Sequence, residues 1–324
     1  MSTEWQPGAD LDVLRARAAM LADIRRYFAD RDVLEVETPL ACLSAGTDPA
    51  LSVMRARYTG PVFAHGVDLY LQTSPEFAMK RLLADGSGAI YQICKAFRDG
   101  EAGRLHNPEF TILEWYRPGF DVDRLIDEVA NVARLALLRS ELAAEQITYA
   151  SLFDMRLGID IFGADTQSLR ERALAQNIIG AEQLELDKDA WLDLLLSHLI
   201  QPQLGKDTLC FVTDYPVSQA ALARTNPDGT TAARFELFHQ GIELANGFHE
   251  LIDAGEQAAR FEADNCKRRG QRQPPVRVDR RLLAAMESGL PDCAGVAVGL
   301  DRMLMLRLGV DDIDDVLAFS LQRC

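Results

Sequence analysis

Ile90 to Pro118 reads IYQICKAFRDGEAGRLHNPEFTILEWYRP, and the reading of this stretch decides the fold. Ile90, Gln92, Cys94 and Ala96 alternate with Tyr91, Ile93, Lys95 and Phe97, which is the period of a strand. From Arg98 to Pro108 the residues are charged or turn-forming, with Asp99, Gly100, Glu101, Gly103 and Arg104 among them. Alternation then resumes. Phe110, Ile112, Glu114 and Tyr116 face one way, and Glu109, Thr111, Leu113 and Trp115 the other. The stretch is therefore a hairpin with a charged loop. A carboxylate at Glu114 inside an apolar strand is costly unless it is paired or at work. Arg98, where the first strand ends, suits a phosphate, because its planar fork gives two charge-assisted hydrogen bonds and keeps its proton. A surface pair with Glu101 or Glu109 explains the same residue, and the hairpin alone leaves both readings open.

The stretch resembles motif 2 of the class II aminoacyl-tRNA synthetases, F-R-x-x-E, then H-N-P-E-F-T, then E-W. Here these stand as Phe97-Arg98-Asp99-Gly100-Glu101, His106-Asn107-Pro108-Glu109-Phe110-Thr111 and Glu114-Trp115-Tyr116. The resemblance implies that Arg98 binds the α-phosphate of ATP. It places Asp99, Gly100 and Asn107 in the loop that holds the nucleotide.

Length and composition bound the rest. A chain of 324 residues with 48% hydrophobic content can build a full core, as one large domain or two. The 34 basic and 49 acidic residues give a formal charge of −15, which opposes a broad tRNA-binding face. Cys42, Cys94, Cys210, Cys266, Cys293 and Cys324 include no C-x-x-C pair, and no histidine pair has zinc spacing. The start, MSTEWQPGADLDVL, lacks the charged and apolar regions of a signal peptide, and no apolar run has membrane length. A reduced, soluble, bacterial-type cytoplasmic protein is expected.

Outward from the hairpin, Leu11 to Ala29 reads as an amphipathic helix with Leu14, Ala18, Leu21, Ile24 and Phe28 on one face. A strand, Val33 to Glu37, stops at Thr38-Pro39. Together, residues 11–39 resemble motif 1, which builds the class II dimer interface. Leu69 to Gln72 reads as a strand, and Thr73-Ser74-Pro75-Glu76 opens a helix with Ser or Thr as the cap. Glu76 suits a helix N-terminus on charge alone. The same segment resembles the T-S-P-E run of the lysine-type enzymes, which implies that Ser74, Pro75 and Glu76 receive the amino acid.

Asp121 to Leu142 reads as a helix striped by Leu125, Val129, Val132, Leu135 and Leu138. Ser151 to Asp160 reads as irregular, and helices fall within Ser168–Ala175 and Trp191–Gln201. This central region shows no readable chemistry; His198 is a helix-face residue. Thr208 to Thr213 is a strand ended by Asp214-Tyr215-Pro216. Phe235 to Phe238 and Ile242 to Phe248 are strands around a turn at His239-Gln240-Gly241. Glu243 and Glu250 are seven apart, so in a regular strand they face oppositely. They converge only if Asn246-Gly247 bulges or turns. Two convergent carboxylates would suit Mg²⁺, and an Asn-Gly hairpin with two exposed glutamates is the alternative. Ala254 to Arg269 is a charged helix whose basic end suits a solvated C-terminus.

Gly295 to Met305 reads GVAVGLDRMLM, with an apolar helix opening at Leu300-Asp301-Arg302. Residues 295–308 resemble motif 3, G-x-G-x-G-x-D-R. This implies that Gly299 lines the ATP site and that Arg302 binds its terminal phosphates. The synthetases have glycine where this chain has Ala297. One methyl in a pocket floor shifts discrimination by roughly 1–3 kcal/mol; neutral variation in a packed strand is the other account.

All three motifs occur in class II order. The run I-E-L-A-N-G-F-H-E-L and the P-V-S-Q-A segment at Pro216–Ala220 resemble the elongation factor P–(R)-β-lysine ligases, stand-alone paralogues of lysyl-tRNA synthetase. The resemblance implies an α+β catalytic domain over residues 1–324, an antiparallel sheet flanked by helices, as a homodimer without an anticodon-binding domain. It implies ATP and Mg²⁺, with Arg98 and Arg302 catalytic. Glu243 and Leu244 would contact ATP, and Glu243 and Glu250 the metal. Ser74, Pro75, Glu76, Tyr116, Glu250 and Ala297 would line the pocket for β-lysine or lysine. Elongation factor P is the expected acceptor; tRNA and membrane partners are not expected. A minimal lysyl-tRNA synthetase, an ammonia-using amide synthetase and a non-catalytic paralogue are the rival readings; the last normally lacks Arg98 or Arg302.

Overall fold

A computed structural model describes residues 5–324. The expectation for the first residues, Met1 to Glu4, lies outside them. The chain divides into two compact units, residues 1–140 with 250–324, and residues 141–249.

The first unit opens with α1, Leu11–Ala29, whose N-terminus is capped by Asp10 accepting from Asp12 and Val13 N–H. Its buried stripe is Met20, Ile24 and Phe28, spaced by four. Two-residue β1, Leu34–Glu35, runs parallel to β5, Ile90–Phe97. β5 pairs antiparallel with β6, Glu109–Pro118, and β6 with β11, Cys293–Gly299. The hairpin register, Ile90 opposite Tyr116 through Phe97 opposite Glu109, is the one the alternation predicts. α3, Val122–Leu137, buries Leu125, Val129 and Val132. It ends five residues before the sequence expectation because Leu138 turns left-handed (φ 56°) and is exposed. A small sheet of β2 (Ala41–Cys42), β4 (Val67–Leu71) and β3 (Arg55–Tyr58) precedes α2, Glu76–Ala84. Pro75, with helical φ and ψ, leads into α2, and Ser74 Oγ accepts from Glu76 N–H, the first of the helix, as the expected cap does. The remaining helices of this unit are α7 (Ala254–Gly270), α8 (Arg280–Gly289) and α9 (Leu300–Leu308).

The second unit carries β7 (Ala143–Thr148), β8 (Thr208–Pro216), β9 (Thr231–His239) and β10 (Ile242–His249) in ladder order. β7 and β8 are parallel, so the crossover between them must be long. It holds α4 (Tyr149–Leu157), α5 (Thr166–Ala175) and α6 (Lys188–Leu195), whose Phe153, Leu169, Trp191 and Leu195 share one core with Val212 and Phe238. The irregular reading of 151–160 is thus corrected: Thr148 caps a helix by accepting from Ser151 N–H, and the helix buries Tyr149, Leu152 and Phe153. β8 runs on to Pro216 through a bulge at Asp214, φ 55°. Gln240 and Gly241, φ 50° and 74°, make the tight turn between β9 and β10. The bulge of β10 lies between Glu243 and Ala245, not at Asn246-Gly247, which pair regularly with Glu236 and Phe235. The ladders are antiparallel apart from the parallel pairs β1–β5 and β7–β8.

Candidate active site

Each sequence motif brings a different part of the site. Arg98 follows the last residue of β5, and its backbone N–H donates to Pro108 O across the hairpin at 2.9 Å. Its guanidinium is half-buried, 5.0 Å from the Phe110 ring centroid, and meets Glu101 only loosely, at 3.7 Å. Glu109 pairs with Lys95 instead. The buried Nε of Arg98 has no hydrogen-bond partner among the described residues. A buried donor left so is costly unless a ligand meets it. Asp99 and Gly100 are exposed in the loop, where Gly100 has φ 79°. Asn107 is buried and fully engaged: Nδ2 donates to Glu109 O at 2.6 Å, and Oδ1 accepts from Leu321 N–H at 3.0 Å. Its side chain shapes the loop end.

Gly299 ends β11 and Arg302 lies in the first turn of α9. Arg302 Nε donates to Leu105 O at 3.3 Å, and its NH2 meets His106 Nε2 at 2.6 Å. The motif 3 arginine is thereby seated on the motif 2 loop that Arg98 begins. Asp301 sets this placement. It is buried, accepts from Thr111 N–H at 2.7 Å and lies 2.6 Å from Arg17 of α1.

The third part is a nest of buried carboxylates, all in the first unit. On one face of the β6–β11 pair, Tyr116, Glu114 and Ile112 stand opposite Gly295, Ala297 and Gly299. Glu114 Oε2 accepts from Ser74 Oγ and Oε1 from the Tyr116 hydroxyl, each at 2.7 Å. Ser74 Oγ in turn accepts from Glu76 N–H, 3.0 Å away. Lys80, one turn along α2, lies 2.6 Å from Glu76 Oε1 and 2.6 Å from Glu250 Oε2. The contact with Glu250 is an ion pair whose angle is not that of a hydrogen bond. Lys80 and Glu250 are each 1% exposed. Gly295 makes room for both walls: a Cβ there would lie 2.3 Å from the Tyr116 ring and 2.6 Å from Glu250 Oε1. Ala297 is half-buried.

Burial pushes Glu114 up to about 8, with the charge of Glu76 adding to it against the hydrogen bonds from Ser74 and Tyr116. Burial also pushes Glu250 up, with Lys80 opposing and Glu76 adding. Burial works against the ammonium of Lys80, but Glu250 and Glu76 together raise it above its usual value.

Sequence reasoning missed Lys80 and left Glu114 out of the binding set. The spacing of Lys80 from Glu76, four residues on a helix, was the available signal. Glu243 and Leu244 lie in the second unit, at the β10 bulge, with Leu244 buried. Glu236 of β9, also missed, is pushed up to about 7 by burial and feels the charge of Glu243. Its oxygens meet Arg234 and the Tyr215 hydroxyl. No cluster of three or more histidine, cysteine or acidic residues suited to a metal occurs among the described residues. No helix among them is long and apolar enough to cross a membrane.

The profile of the tRNA synthetases class II (D, K and N) matches residues 9–323, and the chain belongs to that family of enzymes and carries its catalytic domain. Within it, the chain is 48% identical over 320 residues, 98% of both chains, to the elongation factor P–(R)-β-lysine ligase of Klebsiella pneumoniae. It is 47% identical, with the same coverage, to the proteins of that description from Salmonella dublin and Salmonella typhimurium.

Proposed function

We propose that this enzyme activates (R)-β-lysine, or lysine, as an adenylate at the cost of ATP and joins it to a lysine side chain of elongation factor P. One observation carries the substrate reading. Glu76 and Glu250 share one ammonium, Lys80, and Glu114, bonded to Ser74 and Tyr116, lies near enough to feel the charge of both. When all three carboxylates ionise, the surplus of two negative charges matches the two ammonium groups of a diamino acid, and buried charges need partners. Glu250, Glu76 and Tyr116 bind the amines in this reading, with Ser74 and Pro75 shaping the pocket. Ala297 sets the floor opposite Glu114.

The chemistry has two steps. A carboxylate oxygen of the amino acid attacks the α-phosphorus of ATP; the new O–P bond forms as the bond to pyrophosphate breaks. The neutral amine of the acceptor lysine then attacks the adenylate carbonyl, an amide forms, and AMP and a proton leave. Positioning and charge neutralisation do most of the work. Arg98 is assigned the α-phosphate, and its unpartnered Nε supports this. Arg302 is assigned the leaving pyrophosphate. Asp99, Gly100, Asn107, Leu244 and Gly299 form or shape the nucleotide contacts. Mg²⁺ would neutralise the phosphates, taking oxygen ligands. Glu243 is assigned to it; Glu250, whose Oε2 already meets the ammonium of Lys80, is assigned to the amine. A homodimer through residues 11–39 fits the exposed Leu11 and Leu34.

The test is incubation with ATP, Mg²⁺, each lysine isomer and purified elongation factor P, read by intact mass. An increment of one lysine on the acceptor supports the proposal. Charging of lysine tRNA without modification of elongation factor P would replace it with the minimal-synthetase reading.

A further inference from the structure

We propose that Lys80 is a positioning residue that selects diamino acids, by pairing with one oxygen of Glu76 and one of Glu250 so that each offers its second oxygen to a substrate ammonium. The inference deepens the substrate reading above and rests on it. Lys80 is built into α2 one turn from Glu76, so the helix fixes its root. Its ammonium takes Glu76 Oε1 and Glu250 Oε2, leaving Glu76 Oε2 and Glu250 Oε1. Glu250 Oε1 is held against the space that Gly295 leaves open, beside the Tyr116 ring. The Glu250 backbone is fixed as well, its N–H donating to Cys293 O at 3.0 Å.

Without this ammonium, two carboxylates that both touch one point would face each other in a buried site. Such pairs hold a shared proton instead of ionising fully. A substrate amine would then compete with that proton. With Lys80 present, the rise that burial imposes on Glu250 is opposed, and the geometry of the pair is set before substrate arrives. Lys80 thus takes one oxygen of each carboxylate and leaves the other oxygen of each for the substrate. The other titratable groups facing this cluster are Glu114 and Tyr116 of β6 and, behind Glu114, Cys94 of β5.

The test uses full-length wild type, Lys80→Met, which keeps the length and removes the charge, and Lys80→Arg, which keeps the charge. Binding of (R)-β-lysine and of lysine is titrated calorimetrically from pH 6 to 9, with ATP alone as the control. Lys80→Met is expected to bind the diamino acid about tenfold or more weakly at pH 7 and to recover as pH rises, because its acid limb moves up by at least about one unit. ATP affinity is expected to stay unchanged, and Lys80→Arg to return the limb toward the wild-type position. An unchanged pH profile in Lys80→Met, or a loss that is equal at every pH, overturns the inference. A second measurement needs no substrate: the melting temperature of Lys80→Met should fall more steeply than wild type between pH 6 and 9. Parallel profiles overturn the inference too. If Lys80→Met does not fold, Lys80→Arg decides: a folded variant whose binding limb is displaced as far as one unit refutes a role based on charge. Wild type that binds neither isomer removes the substrate reading, and the melting profiles still judge Lys80.

Discussion

Binding of a diamino acid should expel protons from the carboxylate nest. In the empty pocket burial, and next the charge of Glu76, push Glu114 up to about 8. At pH 7 about nine-tenths of Glu114 is then protonated, since one pH unit is a factor of ten. A substrate ammonium favours the ionised form, so binding at pH 7 should release about 0.9 proton from Glu114. Glu250, also raised, adds a fraction. Removing the Glu114 proton at pH 7 costs roughly 1.4 kcal/mol, so affinity should tighten about tenfold between pH 7 and pH 9 and then level. Titration calorimetry in phosphate and in Tris counts the protons, because the two buffers ionise with different heats. Glu114→Gln should abolish most of the release. A binding heat that is the same in both buffers would refute the reasoning. The same shift fixes the sign for stability. The folded-state value of Glu114 lies above its usual 4.5, so its contribution is fully present below 4.5 and is lost as pH rises through about 8. The ligand-free protein should melt lower at pH 9 than at pH 6, and the amino acid should recover the difference.

Arg98→Ala should lower amino-acid-dependent pyrophosphate exchange by about 10²–10³ through loss of charge stabilisation at the α-phosphate; normal exchange removes that assignment. Gly295→Ala places a Cβ 2.3 Å from the buried Tyr116 ring, and should cost about 1–3 kcal/mol in chemical denaturation while weakening amino-acid binding. Ala297→Gly should shift preference from (R)-β-lysine toward lysine, by up to roughly 1–3 kcal/mol in relative kcat/KM; equal preference in wild type and variant rules out the methyl as the discriminator.

The strands that carry chemistry were legible because alternation is a local property. The alternation within β5 and within β6, and the tight turn at Gln240-Gly241, follow from residues close together in the chain. Three features were hidden because they depend on partners remote in sequence. Lys80 reads as a solvent residue until Glu250 is brought onto it, 170 positions later. Residues 143–148 look like a helix tail, yet pair in parallel with β8 after a long crossover. The bulge at Glu243–Ala245 shows no glycine to mark it, whereas Asn246-Gly247, which looks like a turn, lies in regular pairing. Glu114 stood out as a misplaced carboxylate, but what it answers to, Ser74 and Tyr116 with Glu76 nearby, only the fold could say.

Asn107 ties the loop between β5 and β6 to Leu321, whose backbone N–H it accepts. Leu321 stands three positions from Cys324. Substitutions around Leu321 that shift this backbone N–H would therefore tug on the loop to which the proposal assigns nucleotide contacts, and a variant there that slows nucleotide exchange is better read as mechanical interference than as a damaged catalyst.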